Sequence, residues 1–430
     1  MPDAYPMPSA EPRNLGFALG PLSHLDRLIR QHLEEGRHPG AQIALARHGK
    51  LALFRGYGDA QTEPSRKAVT GDTLFLLFSQ TKMLTSAAIW ALVEEGRYPG
   101  AQIALARHGE LALFRTYGSA TTEGRHVPAT DDTLFLLFSQ TKVLTSSAVW
   151  TLVEEGRLSF MDRIADHLPE FAQRSKGEIT LHQVMTHQGG FPSGDVTKAT
   201  WTDHARMRAE VCDFSLDWTP GTRLQYHPRA AHLVQAMVIE AVTGQDYRDV
   251  IRDKVLAPLG LSRDIFVGVP PSEQERCADT YAPEPRDNSA EFKAAGMPSG
   301  GGYATARGMA AFYQMLLGRG RLDDVRLLSP RLIAYVTRSH TGDRGDDAMG
   351  GIPMHRGLGP HVRGESDRIR GLGTIGAPET FGHGGAGTSY SWADPTSGVS
   401  FSYITNFMAP DPWHTIRLDR IANLVHTAID

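Results

Sequence analysis

The 430-residue sequence has few cysteines, little net charge and no long apolar run, and each of these absences removes a class of protein. Because only Cys212 and Cys277 are present, neither a disulfide framework nor a cysteine metal site is predicted, and a reducing, cytoplasmic location is expected. The formal net charge is -4 and the basic residues are scattered, which argues against nucleic-acid binding. No apolar run is long enough for a membrane span or a secretory signal, so neither is predicted.

Two common hydrolase signatures are also missing. Neither Gly-x-Ser-x-Gly nor His-Glu-x-x-His occurs, so an α/β-hydrolase and a zinc peptidase of that type are not predicted. The 18 histidines do not follow metal-ligand spacing, so we expect no metal or organic cofactor and place the histidines mostly at surface or ordinary polar positions.

The length of the chain suits two domains, or one large domain with an insertion.

An internal repeat dominates the N-terminal part of the sequence. Residues 39–98 and 99–158 align without a gap, and about 44 of 60 positions are identical. The tetrapeptide EEGR closes the segment before the first copy and each of the two copies. Two copies are fewer than a solenoid needs, so the pattern predicts a tandem duplication, and we hypothesise that recombination between EEGR sites produced it.

Each copy is predicted to contain a β-hairpin followed by an apolar helix. The strands are AQIALAR and LALFR, and the turn falls at His48-Gly49 or His108-Gly109. Helical periodicity predicts amphipathic helices over 22–33 and 418–428, while 389–406 is predicted to form a second hairpin. Only the first copy has the N-terminal helix in front of it, although residues 87–97 could take its place for the second. Broken helical segments are predicted between about 160 and 295.

A serine and a lysine three residues apart open the apolar helix of the second copy. In LFSQTKVLTSSAVWTLVEEGR these are Ser139 and Lys142. A helix beginning at Ser139 places both side chains on one face, with the hydroxyl in the positive field of the helix N-terminus. The neighbouring residues are apolar, so burial is expected to lower the pKa of Lys142 and favour a neutral amine that can activate a hydroxyl nucleophile. Taken alone, the pattern also fits an N-capping serine and a lysine that reaches solvent.

Longer blocks around this motif resemble the penicillin-recognising serine enzymes, and within them the class C β-lactamases and family VIII carboxylesterases. The blocks are PATDDTLFLLFSQTK, EEGRLSFMDRIADHLPEF, ITLHQVMTHQGGFP and TPGTRLQYHPRAAHLVQAMVIEAVTGQDY, in the family's order. The resemblance implies a β-lactamase-like α/β fold with an antiparallel sheet flanked by helices and a mostly helical second domain. It implies an N-terminal part of the α/β domain at 1–140, which contains the duplication, a helical domain at 141–295 and the C-terminal part at 296–430.

The resemblance also implies roles for individual residues. Ser139 is the nucleophile, Lys142 its basic partner, and Tyr226 the tyrosine of the family's second motif. A tyrosine hydroxyl acts as a base only when nearby cations favour the phenolate, and Lys142 has that position in the family. The lactamases have Tyr-x-Asn, whereas this sequence has Tyr226, His227 and Pro228, so the asparagine contacts to a β-lactam amide are absent.

The C-terminal strand motif is Lys-Thr-Gly in lactamases and His-Gly-Gly or Trp-Gly-Gly in esterases, and His383, Gly384 and Gly385 resemble it here. Glycines allow this strand to approach a substrate closely, and a simple β-bulge is the alternative explanation. The resemblance implies that the backbone N–H groups of Ala386 and Ser139 form the oxyanion hole. A lysine in the motif would pair with a substrate carboxylate, so its replacement by His383 favours uncharged esters.

These features predict a serine carboxylesterase that hydrolyses short-chain esters through an acyl-enzyme, with weak β-lactam hydrolysis as a side activity. The same fold leaves a β-lactamase, a D-amino-acid peptidase and an acyltransferase open. A degenerate binding protein is the non-enzyme alternative. The expected partner is a small-molecule ester, without nucleic acid or membrane. Tyr390 and Trp392 are candidates for the acyl pocket, with core or surface positions as the alternative.

The first copy supplies a second motif, Ser79 with Lys82, but the chain has only one Tyr226 and one His383 motif. One serine at most can therefore complete the site in a monomer. Ser139 is preferred because its helix leads directly into LSFMDRIADHLPEF, whereas a proline-glycine pair cuts short the helix after Ser79. The unused copy could pack outside, extend a sheet edge or swap into a second subunit, so a homodimer is one expectation.

Overall fold

Short β-strands and helices alternate along the chain, as the sequence patterns predict. The structure is a computed structural model that describes residues 8–48, 50–70, 73, 93, 98–122, 126–284, 286–366 and 368–429. Its strands are β1 (Gly40–Arg47), β2 (Lys50–Gln61), β3 (Lys67–Ala68), β4 (Gly100–Arg107), β5 (Glu110–Thr121), β6 (Val127–Pro128), β7 (Phe135–Leu136), β8 (Ile265–Val267), β9 (Gly302–Ala304), β10 (Arg321–Leu322), β11 (Val325–Arg326), β12 (Gly345–Asp346), β13 (Ile352–Pro353), β14 (His361–Val362), β15 (Phe381–Gly385), β16 (Ser389–Asp394) and β17 (Val399–Thr405). Its helices are α1 (Leu19–Glu34), α2 (Thr141–Glu154), α3 (Ile164–His167), α4 (Leu181–Met185), α5 (His204–Cys212), α6 (Ala230–Thr243), α7 (Tyr247–Ile251), α8 (Ala290–Ala295), α9 (Ala306–Leu317), α10 (Pro330–Val336) and α11 (Trp413–His426).

The chain forms two units, residues 1–77 and 78–430. The first contains helix α1 and the three-stranded antiparallel sheet β1-β2-β3. Asp26 of α1 accepts hydrogen bonds from Arg55 at 2.6 Å and Tyr57 at 2.9 Å, both on β2. The predicted N-terminal helix is confirmed, and it packs on the first hairpin. The division of the chain at residues 140 and 295 stays a prediction.

The predicted hairpins are present in both copies with the same register. Strand β1 pairs with β2, and β4 pairs with β5, each with an irregularity at the equivalent leucine-alanine step, Leu45/Ala46 and Leu105/Ala106. In the second copy, His108 and Gly109 have φ angles of 53° and 85°. Positive φ at both central positions is typical of the two-residue turns whose twist matches that of the strands they join.

Position 93 packs on the second hairpin as position 33 packs on the first. A methyl group added to Gly58 would lie 2.9 Å from Leu33 Cδ2 of α1, and one added to Gly118 would lie 2.8 Å from Val93 Cγ1. The two pairs are separated by the 60-residue repeat. Val93 thus supports the expectation that residues 87–97 substitute for the N-terminal helix, although the rest of that segment lies outside the described residues.

A seven-stranded antiparallel sheet with the order β14-β15-β16-β17-β4-β5-β6 forms the centre of the second unit. Successive side chains of a strand point to opposite faces. Ala101, Ile103 and Leu105 of β4 therefore pack in an apolar cluster with the closing helix α11, whereas Ala104 and Ala106 pack in another with α9. The predicted antiparallel sheet flanked by helices, the hairpin over 389–406 and the closing helix are confirmed.

Helices predominate between residues 141 and 295, as predicted. Helix α2 is buried from Thr141 to Leu152 and packs against α6 and α7. The small sheet β7-β9-β8 holds the segment that leads into α2. Within the described residues, none of the helices combines the length and the apolar character that crossing a bilayer requires.

Candidate active site

Ser139 lies in a tight turn just before helix α2. Residues Phe138–Gln140 form a single 3-10 turn and α2 begins at Thr141, so the α-helix starts two residues later than predicted. Phe138 has a φ of 48°, a left-handed conformation that is uncommon for residues other than glycine. Thr141 holds the turn, because its Oγ1 donates to Phe138 O at 2.7 Å and accepts from the N–H of Gly302 at 2.9 Å. The turn therefore places Ser139 at the helix N-terminus without including it in α2.

Lys142 is fully buried in the first turn of α2, as predicted. Its Nζ lies 3.0 Å from Ser139 Oγ and donates to the backbone carbonyl of Ser299 at 2.6 Å. Burial lowers the pKa of this lysine, and the neighbouring Tyr226 opposes part of that shift. A lysine of reduced basicity at this distance can take up the proton of a serine hydroxyl.

Tyr226 reaches the same serine from the segment that precedes α6. Its hydroxyl lies 3.2 Å from Ser139 Oγ, and Lys142 Nζ lies 5.4 Å from the centre of its ring. The structure thus brings together Ser139, Lys142 and Tyr226. Ser79 and Lys82 of the first copy lie outside the described residues.

The expectation that the histidines lie mostly at surface or ordinary polar positions is wrong around Tyr226. The ring centres of His187, His361 and His383 lie 4.8, 6.3 and 6.4 Å from that of Tyr226. The rings of His361 and His383 lie 4.1 Å apart. Burial is the main cause that lowers the pKa of each of the three, that of His383 to about 3. All three are therefore uncharged at neutral pH.

His227 has a structural role next to Tyr226. Its Nδ1 donates to the carbonyl of Gln225 at 2.6 Å, so its Nε2 is free to accept the N–H of Phe191 at 3.2 Å. Burial lowers the pKa of His227 to about 4. The neutral imidazole holds two loop segments together, and Pro228, at the position of the lactamase asparagine, lines the pocket described below.

Strand β15 carries the His-Gly-Gly motif past the Ser139 turn. A methyl group on Gly385 would lie 2.5 Å from the carbonyl oxygen of Leu137, so the strand can pass at this distance only with glycine there. Its pairing with β16 is regular through Gly385, so the bulge alternative is wrong. His383 is 2% exposed, Gly384 is half-buried, and Ala386 follows the strand and is exposed. The oxyanion role of the Ala386 and Ser139 N–H groups stays a prediction.

A pocket of about 570 Å³ opens in front of Ser139. Trp201 and Phe292 form one wall, with ring centres 5.6 Å apart. Two cations at the pocket are paired with carboxylates, Lys198 with Asp287 at 3.1 Å and Arg229 with Asp195. The other lining residues are Leu136, Phe138, Val196, Pro228, Arg286, Met297, Ser299 and Gly300.

The aromatic residues suggested for the acyl pocket are not the ones that line it. Trp392 is fully buried in the core on the α11 side of the sheet, where its ring stacks on His426 at 4.6 Å. Tyr390 belongs to the same core cluster. Trp201 and Phe292 were missed because neither belongs to a family motif, and nothing in their sequence spacing indicates that they meet.

The structure also brings together three potential metal ligands that the spacing did not indicate. Ligand atoms of His204, Glu240 and Asp246 lie within 4.8 Å of one another. His204 Nδ1 bonds to Glu240 at 2.6 Å, and Arg248 Nε donates to Asp246 at 2.9 Å. A guanidinium already neutralises one of the two carboxylates, so these residues form an ion-pair network and we propose no metal site.

Comparison with known proteins places this site in a family context. The Beta-lactamase family model matches residues 25–98 and 95–426. The esterase/beta-lactamase LipL of Mycobacterium tuberculosis is 26% identical over 349 residues, which cover 72% of this chain and 77% of that protein. A putative D-alanyl-D-alanine carboxypeptidase of Escherichia coli K12 is 24% identical over 351 residues, covering 72% of this chain and 78% of that protein.

Solved structures of the same kind of protein also superpose on this chain. A family VIII carboxylesterase superposes with a TM-score of 0.71 at 28% identity, covering 82% of this chain and 97% of the other. A penicillin-binding protein homologue from Caulobacter crescentus superposes with the same TM-score and identity, covering 81% and 98%. The two family matches include both copies of the repeat, and the second includes the whole site around Ser139. The chain therefore belongs to the beta-lactamase family.

Proposed function

We propose that the protein is a serine carboxylesterase that hydrolyses small esters through an acyl-enzyme on Ser139. The observation that carries this proposal is the position of Ser139 Oγ, 3.0 Å from Lys142 Nζ and 3.2 Å from the Tyr226 hydroxyl. At these distances either Lys142 or Tyr226 can accept the proton of the Ser139 hydroxyl as it attacks a substrate. The similarity to a family VIII carboxylesterase supports an ester as the substrate.

In the acylation step, Ser139 Oγ forms a bond to the ester carbonyl carbon. The carbonyl electron pair moves onto its oxygen, and the serine proton passes to Lys142 or Tyr226. We propose that the N–H groups of Ser139 and Ala386 stabilise the oxyanion. When the carbonyl re-forms, the bond to the alkoxy group breaks, and the leaving alcohol takes the proton. The acyl group then remains on Ser139.

Deacylation repeats these steps with water as the nucleophile. Water gives a proton to the same basic pair and adds to the acyl carbon. Collapse of the second tetrahedral intermediate breaks the bond to Ser139, whose oxygen recovers the proton. The products are a carboxylic acid and free enzyme, so no further reactant is required.

The charges around the pocket favour an uncharged substrate. His383, at the position of the lactamase lysine, is buried and has its pKa lowered to about 3, so it offers no cation. Lys198 and Arg229 are held by carboxylates. With Trp201 and Phe292 as one wall, the pocket suits a short acyl chain or a small apolar alcohol.

Arg286 is the observation that favours a second candidate, cleavage of a carboxylate-bearing β-lactam or D-peptide. It lines the same pocket and is exposed, and no residue in the described part of the chain forms an ion pair with it. Arg286→Gln should lower cephalosporin hydrolysis about tenfold if this cation binds the carboxylate, while butyrate ester hydrolysis stays unchanged. If Arg286→Gln hydrolyses both the cephalosporin and the ester at the wild-type rates, the esterase is the better assignment.

The test of the main proposal is covalent labelling with a fluorophosphonate, read by peptide mass spectrometry, together with turnover of p-nitrophenyl butyrate. The wild-type adduct should lie on Ser139. Ser139→Ala should lose the adduct and at least about 1000-fold of the turnover. Ser79→Ala is a matched control from the other copy and should retain both.

Each other result has a definite meaning. An adduct on Ser79, with loss of activity in Ser79→Ala, keeps the esterase but reverses the assignment of the working copy. If folded wild-type protein shows no adduct and no turnover, the degenerate binding protein becomes the better interpretation. A β-lactamase would show faster turnover of nitrocefin than of the ester, and an acyltransferase would produce a new ester when an alcohol is added.

We also propose a cytoplasmic location and association into a homodimer. Cys212 and Cys277 are both free and buried, which suits a reducing compartment. Light scattering of the purified chain measures the mass of the particle, and a monomeric mass would exclude the dimer.

A further inference from the structure

A buried ion pair with no part in the mechanism above lies beside Tyr226. Asp346 is 0% exposed and Arg356 is 2% exposed. Arg356 Nε donates to Asp346 Oδ2 at 3.1 Å, and its Nη2 donates to the same oxygen. Apolar side chains of similar volume often stabilise a core at least as well as a buried ion pair does. A role in the site would explain why charged residues stand here.

Both members of the pair contact Tyr226. Asp346 Oδ1 accepts the N–H of Tyr226 at 3.0 Å. Arg356 Cζ lies 4.7 Å from the centre of the Tyr226 ring, compared with 5.4 Å for Lys142 Nζ. One ion pair therefore holds the main chain of Tyr226 through its carboxylate and faces the ring of Tyr226 through its guanidinium.

The other titratable groups around this ring are uncharged histidines. Arg356 Nη1 donates to His361 Nε2 at 2.9 Å, so His361 carries its proton on Nδ1 and is neutral. His187 and His383 complete the set, and burial lowers the pKa of all three. Among the described residues, the cationic side chains that face the Tyr226 ring are therefore those of Lys142 and Arg356.

We propose that the Asp346–Arg356 pair is a positioning device for Tyr226 that holds the guanidinium, the positive end of the pair, over its ring. This inference rests on the proposed function, in which Tyr226 shares the Ser139 proton with Lys142. A lysine that acts as a base must be neutral and then gives no field, whereas a guanidinium stays protonated throughout the working pH range. Arg356 supplies a permanent cationic end 4.7 Å from the ring centre, which stabilises negative charge that develops on the Tyr226 oxygen as the proton moves.

The test compares a variant that removes the ion pair with a variant that keeps it. Arg356→Gln combined with Asp346→Asn removes both charges of the pair and leaves no lone buried carboxylate, whereas Arg356→Lys keeps the ion pair but loses the planar fork. Arg363→Gln is the control. Arg363 is also buried, and it donates to the backbone carbonyls of Gly373 and Thr374. The measurements are kcat and KM for p-nitrophenyl butyrate from pH 5 to 10, the unfolding temperature and the rate of fluorophosphonate labelling.

The double variant should fold and should lose about 100-fold in kcat with little change in KM, because the pair acts on proton transfer rather than on binding. The acid limb of its kcat/KM profile should move to higher pH. Arg356→Lys should recover part of the rate, and Arg363→Gln should keep the wild-type profile.

An unchanged pH profile in the double variant, or an equal loss of kcat in Arg363→Gln, would overturn the positioning role. A wild-type protein that is neither labelled nor active would instead overturn the proposed function, and this inference with it. Labelling on Ser139 with wild-type turnover in the double variant would overturn only the inference. The two failures are therefore distinguishable in one set of samples.

Discussion

Gly385 lies where the strand of the His-Gly-Gly motif passes the Ser139 turn, and Gly385→Ala tests how far the site depends on that close approach. The added methyl carbon would lie 2.5 Å from Leu137 O, a backbone atom of the turn, and 2.6 Å from Ser389 Oγ. A carbon and a carbonyl oxygen in contact need about 3.4 Å, so strand and turn would have to separate by about 0.9 Å. A displacement of about 1 Å between reacting groups lowers a rate about 100-fold.

The measurement is kcat/KM for p-nitrophenyl butyrate, with the unfolding temperature recorded on the same samples. Gly385→Ala should lose about 100-fold in kcat/KM and, through overpacking, about 1–3 kcal/mol of stability. Gly177→Ala is the control, because its new methyl would meet its nearest neighbour, Ala172 Cβ, at an ordinary 3.6 Å. Wild-type activity in folded Gly385→Ala would show that the approach of strand and turn is not needed, and the reasoning would be refuted.

The pocket and the buried histidines give two further predictions. Trp201→Ala should lower kcat/KM for p-nitrophenyl hexanoate about tenfold more than for the acetate, since about 1.4 kcal/mol of lost apolar contact is a factor of ten; equal losses would place the acyl chain elsewhere. His227 and His383 have pKa values of about 4 and about 3 in the fold, against 6.5 when unfolded. Below pH 6.5 the unfolded chain therefore binds protons that the folded chain does not. The free energy of unfolding decreases as the pH is lowered, by roughly 2 kcal/mol per histidine at pH 5. Urea unfolding at pH 7 and pH 5 measures this loss, and a total change below about 1 kcal/mol would contradict it.

The candidate catalytic residues were predictable because each lies in a motif that can be recognised along the chain. Ser139 and Lys142 are one helical turn apart, and Tyr226 is flanked by a block that resembles the family's second motif. Family resemblance supplied the long-range contact between them, which spacing alone does not contain. The structure adds the two distances to Ser139 Oγ and the bond from Lys142 to Ser299.

The groups that surround these residues were not predictable. Asp346, Arg356 and His361 come from a segment with no motif, and they meet Tyr226 only because the chain folds back across it. Trp201 and Phe292 come from separate segments on the same side of the pocket. No local periodicity encodes such contacts, because each depends on where two distant segments end after the whole core has packed.

The repeated strand separates what the sequence determines from what the tertiary structure decides. The same eight residues, GAQIALAR, form β1 and β4, with the same partner strand, register and irregularity. Strand and hairpin follow from the alternation of side chains and from the turn, which are local properties shared by both copies. Burial differs, since Ala104 is 0% exposed whereas the equivalent Ala44 is exposed. Strand β4 also pairs with β17 and is covered by α9 and α11. The described residues contain one set of these elements, so two identical strands cannot both occupy the centre of the sheet.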